Sequence, residues 1–142
     1  MDTGEKVIKD IEKNGFSVSV YLNQERIFAS SKAGLFPLAE FVVKQSKESK
    51  NYKDLIIGDK IIGKAGALLI LNLEPSFVYG GIVSIKAKDL ITNRGINLKY
   101  GKLVPKILNR DKTDSCPMEK LVTDVESCEE ALNIFKKLFS LS

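Results

Sequence analysis

Four residues near the middle of the chain have the types and spacing to hold a negatively charged molecule: Asp59, Lys60, Gly63 and Lys64, inside the stretch Lys53 to Leu73 (KDLIIGDKIIGKAGALLILNL). Leu55 to Ile57 reads as a buried strand, Gly58 to Lys60 as a polar break, and Ile61 and Ile62 as a second apolar pair. Ala65 to Leu71 is apolar on every side, which places it in a core. The four residues then sit where a buried strand hands over to a buried helix, the position at which open α/β sheets bind ligands. Unpaired N–H groups at a helix start, with ammonium groups beside them, attract anions. The pattern is not a P-loop, because Lys64 is followed by Ala65 rather than by Ser or Thr. The plainer account is that Asp59 caps the helix, the lysines are solvated, and Gly63 and Gly66 let the helix pack closely.

Cys116 and Glu119 form a second candidate pair. A thiol at a helix start, with Arg110 and Lys112 close in sequence, is in surroundings that make it reactive. Cys116 would serve as nucleophile or sulfur carrier and Glu119 as acid or base, with Lys60 or Lys64 assisting. The plainer account has Cys116 and Met118 anchoring the carboxy-terminal segment by packing. Cys128 reads as a structural residue in a helix first turn, and Asp111 and Asp114 as residues that shape a loop, with an oxygen-ligated magnesium there as the alternative. Tyr79 and Tyr100 have rings able to stack on a base, although strand aromatics more often pack.

Composition narrows the chemistry. There is no histidine among the 142 residues, so an imidazole base, a Ser/His/Asp triad and a histidine metal ligand are all excluded. Two separated cysteines and no histidine cannot build the usual tetrahedral zinc site within one chain. No metal or cofactor is expected. The net charge is +4, and along the chain the basic residues read as interspersed with acidic ones, a pattern that suits a small anionic ligand better than nucleic acid. Hydrophobic residues make up 44%, an ordinary globular share, with no apolar run long enough for a bilayer and a charged amino terminus. A cytoplasmic location with free thiols follows as the expectation.

The elements that must position these residues can be read in order. Thr3 caps a first amphipathic helix bearing Val7, Ile8 and Ile11, which stops at Gly15. Phe16 to Leu22 alternates, with Phe16, Val18 and Val20 on one face and Ser17, Ser19 and Tyr21 on the other, and pairs with Arg26 to Ala29 through a short turn at Asn23 and Gln24. Pro37 opens a helix that runs to about Lys47, and Gln45 to Lys50 reads as a solvated loop. Beyond the central stretch come a strand Phe77 to Ile85 with a bulge or close approach at Gly80 and Gly81, a helix Lys86 to Arg94 capped by Ser84, and a strand Ile96 to Tyr100. Leu103 to Leu108 reads as an apolar turn, Cys116 and Pro117 as the start of a short helix, and Ser127 with Glu130 as the capping box of a last helix. One domain, residues 1–142, is expected, with the sheet core in 1–100 and a helical extension in 101–142.

The segments GDKIIGKAGALL, KLVPKILNR and CPMEKLV together resemble a small uncharacterised prokaryotic family, a domain of unknown function whose fold is cytidine deaminase-like. The resemblance covers about Phe16 to Leu138. It implies an α/β/α three-layer mixed sheet with a helical carboxy-terminal extension, and a cleft where true deaminases hold zinc. The two ligand-bearing positions of those enzymes fall in SKAGLFP and GDKIIGKA, neither of which offers a ligand, so zinc-hydroxide deamination is not implied. Three functions follow as expectations: a binder of a small anionic or nucleotide-like molecule between Asp59–Lys64 and Arg110–Glu119, a thiol-dependent enzyme, or a homo-oligomeric module that uses the strand Phe77 to Ile85 or the apolar helices.

Overall fold

The computed structural model describes residues 1–48 and 54–142; Lys53, at the head of the central stretch, and the expected loop residues Ser49 and Lys50 lie outside the described residues. The chain forms helix α1 (Thr3–Glu12), the strands β1 (Val18–Leu22) and β2 (Glu25–Ser30), and α2 (Phe36–Ser46). It continues with β3 (Leu55–Ile62), α3 (Lys64–Ile70), β4 (Phe77–Ser84), α4 (Ile85–Thr92), β5 (Asn97–Val104), α5 (Pro117–Leu121) and α6 (Cys128–Leu138). The five strands make one mixed sheet in the order β2-β1-β3-β4-β5. β1 runs antiparallel to both β2 and β3, whereas β3, β4 and β5 are parallel to one another.

Strand alternation separates two apolar clusters. Val18, Val20, Leu55, Ile57 and Val78 face the larger one with residues of α2, α3, α4 and α6, including the fully buried Phe135. Tyr21, Ile56 and Tyr79 face Val7 and Ile11 of α1. Both faces of the central strands are therefore buried, and Ser19 and Tyr21, which alternation alone would assign to solvent, lie under α1. Phe16 joins this α1 cluster rather than the face of Val18 and Val20.

Local chemistry sets most boundaries. Asp2, not Thr3, caps α1: its carboxylate accepts from the Glu5 N–H at 2.8 Å, and the Glu5 side chain accepts from the Asp2 N–H in return. Asn23 and Gln24 both have positive φ, 51° and 70°, as a two-residue hairpin turn requires. Pro37 stands in the first turn of α2, and Ser84 caps α4 by accepting from the Ala87 N–H at 3.1 Å. Gln45 belongs to α2 and is buried, so the solvated loop does not begin there.

Two strands run further than their residue types suggest. β3 has no break at Gly58, Asp59 and Lys60: the first two pair in register with β1 and β4, and the Lys60 N–H bonds the Ser17 carbonyl. Gly58 is glycine because α1 packs onto it: a Cβ there would stand 2.6 Å from Val7 Cγ2 and 3.0 Å from Ile11 Cγ1. β5 continues past Tyr100 through Gly101 to Val104, so the sheet crosses residue 100, and Leu103 and Val104 are strand rather than turn. β4 lies between β3 and β5, which removes it as an edge for pairing with a second copy. Its Gly81 does accommodate a close approach, since a Cβ would sit 2.7 Å from the Lys60 carbonyl oxygen.

Candidate functional site

The carboxy-terminal segment returns to the end of β3. The Gly63 N-cap of α3 has no side chain to offer its helix, so the first amides of α3 need an acceptor from elsewhere. Glu119 supplies it from α5: Oε1 accepts from the Lys64 N–H and Oε2 from the Ala65 N–H, each at 2.7 Å. A Cβ on residue 63 would collide with the Glu119 carboxylate and with Ile107, so any larger residue there must displace the capping side chain. The Lys64 ammonium donates to the Thr123 carbonyl at 3.0 Å and lies 3.9 Å from Glu126 Oε1. Gly63, Lys64 and Glu119 thus form one clasp, and the anion seated at the start of α3 is the chain's own carboxylate.

Asp59 lies on the same sheet face, that of Leu55 and Ile57, but it caps nothing. It pairs with Val18 and Gly80 in the middle of the sheet and is only 7% exposed. Its Oδ1 accepts from the Ile61 N–H at 3.2 Å, and no cation pairs with it among the described residues. Burial, opposed only by backbone N–H groups of Ile61 and Lys60, pushes its carboxyl up to about 8, so at neutral pH it is largely a proton donor. Lys60, by strand alternation, belongs with Gly58 on the α1 face, exposed at the sheet's end while its N–H bonds the Ser17 carbonyl at 2.8 Å. The two lysines therefore do not form one cationic corner with Asp59.

Cys116 is the N-cap of α5, half-buried, with its N–H on the Ile107 carbonyl at 3.0 Å. Glu119 lies three residues on, but both of its carboxylate oxygens are committed to α3. Arg110 is exposed in the loop before α5. That loop is shaped by Asn109, whose Oδ1 accepts from the Thr113 N–H at 3.0 Å, and by a 2.5 Å ion pair from Lys120 to Asp114. The Lys120 ammonium and the Ser115 N–H hold the Asp114 carboxyl below the usual range. Tyr79 is buried under α1, where burial and its hydrogen bond to Glu12 push the phenol up to about 12; Tyr100 is partly exposed. Among the described residues no three Cys, Asp or Glu side chains converge as a metal site would require.

A polar cluster without a signature motif lies on the α1 face. Asp10 is 2% exposed and accepts from Asn14 Nδ2, the Ser19 and Tyr21 hydroxyls, and Nε and an Nη of Arg26, at 2.6 to 3.2 Å. Burial pushes its carboxyl up, yet the bonds from Ser19, Asn14, Tyr21 and Arg26 together outweigh burial and leave it below the ordinary carboxylate range. The Arg26 guanidinium also lies over the rings of Phe16 and Tyr21. The available signal was an acid on the Val7 and Ile11 stripe of α1. A shallow cavity near this face, about 390 Å³ and open to solvent, lies at the opposite end of the sheet from the clasp, lined by Asp2, Glu5, Gln24, Asp54, Phe77 and Lys99 among others.

A helix-covered mixed sheet with an internally capped helix start defines an α/β protein. Residues 6–139 match the family model described as TM1506: Domain of unknown function (DUF1893), and the chain belongs to that family. It is similar to a DUF1893 family protein (TM1506) from Thermotoga maritima known from a crystal structure, with a TM-score of 0.79 and 30% identity over 94% of this chain and 87% of that one. No curated protein matches. No helix among the described residues is long and apolar enough to cross a membrane.

Proposed function

We propose that this is a zinc-independent protein of the cytidine deaminase-like, three-layer fold that binds a small anionic or nucleotide-like molecule where β3 meets α3. The fold reading is supported by a hairpin followed by three helix and strand alternations, with helices against both faces of the sheet. The ligand reading is carried by one observation: a carboxylate already seated on two consecutive amides at 2.7 Å each, in the position an anionic ligand group would take. Asp59, neutral and buried on the same face, adds a donor suited to a ring nitrogen or carbonyl. In this reading Glu119 holds the place of the ligand's acid, and α5 gives way when the ligand enters. The thiol reading gains no comparable support, because Glu119 faces α3 rather than serving Cys116.

Thermal-shift titration of the wild type and of Glu119→Ala with nucleotides, nucleosides and inorganic phosphate tests this. Vacating the two amides should give the variant a larger ligand-induced rise in melting temperature than the wild type, dependent on the anionic group. No rise in either protein across the panel overturns it.

A further inference from the structure

The two edges of the sheet differ in a way that no ligand site explains. β2, at one edge, is six residues long, its pairing with β1 shifts register at Val20 and Tyr21, and its Arg26 is tied to Asp10. Short, bulged edges resist further pairing. β5, at the other edge, is eight residues long and pairs with β4 without a register shift. In a parallel pair alternate residues turn both N–H and C=O away from the neighbouring strand. Among the described residues, no backbone hydrogen bond runs from Asn97–Val104 to anything other than β4.

This edge is also basic. From Ile96 to Arg110 the sequence carries Lys99, Lys102, Lys106 and Arg110 and no acidic residue, and all four are exposed. The impression of basic residues interspersed with acidic ones therefore fails over this stretch. Register places Lys99 beside Tyr79 on the α1 face and Lys102 beside Ile82, which turns away from the core residue Val83 and so toward that same face; a strand laid along β5 meets two positive charges there. A second copy is a poor occupant: full-length antiparallel pairing of β5 with itself sets Lys99 of each copy opposite Lys102 of the other, and like charges directly opposed are destabilising.

We propose that the outer edge of β5 docks an acidic polypeptide segment in extended conformation, which adds a sixth strand to the sheet. Main-chain hydrogen bonds supply the affinity, and Lys99 and Lys102 select for acid. A nucleic acid fits less well, since its phosphates accept from N–H groups but offer the outward carbonyls no donor.

The test uses the full chain and a short peptide of alternating glutamate and valine, followed by calorimetry and amide hydrogen exchange. The peptide should bind and slow exchange at alternate amides of β5, and the Lys99→Glu/Lys102→Glu double variant, with an unchanged melting temperature, should bind about tenfold more weakly or worse. The same peptide N-methylated at alternate amides should not bind. Equal binding of the methylated peptide, tighter binding of a single-stranded oligonucleotide, or no binding of the unmodified peptide overturns the proposal.

Discussion

Asp10 and Asp59 are both buried carboxyls in the same sheet-and-helix frame, and their surroundings drive them to opposite charge states. Asp10 is ringed by two hydroxyls, an amide and a guanidinium, and stays ionised. Asp59 has only backbone N–H groups, and burial keeps it protonated to about pH 8. Burial alone does not decide what a carboxyl contributes; the donors supplied to its charged form do. The first aspartate fastens α1 to the hairpin. The second costs the fold something at neutral pH, and an unrequited cost is what functional groups tend to carry.

The sharpest way to test the contrast is pH. Because the Asp59 carboxyl is raised in the folded state, its favourable contribution is complete below the unfolded value near 4 and is lost as pH rises towards about 8. Asp59→Asn should remove that loss. The variant should be as stable as wild type at pH 4 and gain on it by about 1.4 kcal/mol per pH unit above that, reaching on the order of 5 kcal/mol by pH 8 in urea melts. Parallel stability curves for the two proteins would mean that Asp59 is ionised when folded.

Asp10→Ala should act in the reverse direction. It strands the Ser19 and Tyr21 hydroxyls in a buried space and should cost about 3 kcal/mol at pH 7. Since this carboxyl is lowered, the contribution is present above pH 4 and fades as pH falls through its folded value, so the variant and wild type should converge in acid. A penalty that persists unchanged at pH 2 would contradict the network.

Two smaller effects follow. Glu119→Ala uncaps α3 and should cost about 1 to 2 kcal/mol, with hydrogen exchange accelerated at the Lys64 and Ala65 amides and not at Asp59. Arg26→Ala should cost only about 0.5 to 1 kcal/mol, because its side chain is 42% exposed and solvent screens the pair. A loss as large as that of Asp10→Ala would mean that the guanidinium, rather than the hydroxyls, holds the network together.

Features with local causes were legible in the sequence. The Asn23–Gln24 turn, the proline opening α2, the Ser84 cap and the glycine after α4 each depend on residues a few positions apart. What misled had distant causes. Gly58 to Lys60 resembles a break until α1 is seen lying on Gly58, and Gly101 resembles a strand end although β5 runs through it. At the candidate site the sequence sets the Arg110–Glu119 segment opposite Gly63 and Lys64, but it assigns Glu119 as acid or base beside Cys116, and nothing local signals that its carboxylate caps α3 instead. Asp10 carried no motif, and its partners come from three elements.

The Glu119 clasp also bears on the order of events during folding. The acceptor for the opening amides of α3 lies 55 positions downstream, so a nascent chain has made β3, β4 and β5 before that helix can be completed. Until then a central helix begins with bare donors beside a buried strand, and a segment made after the whole sheet is the one that finishes the middle of the molecule.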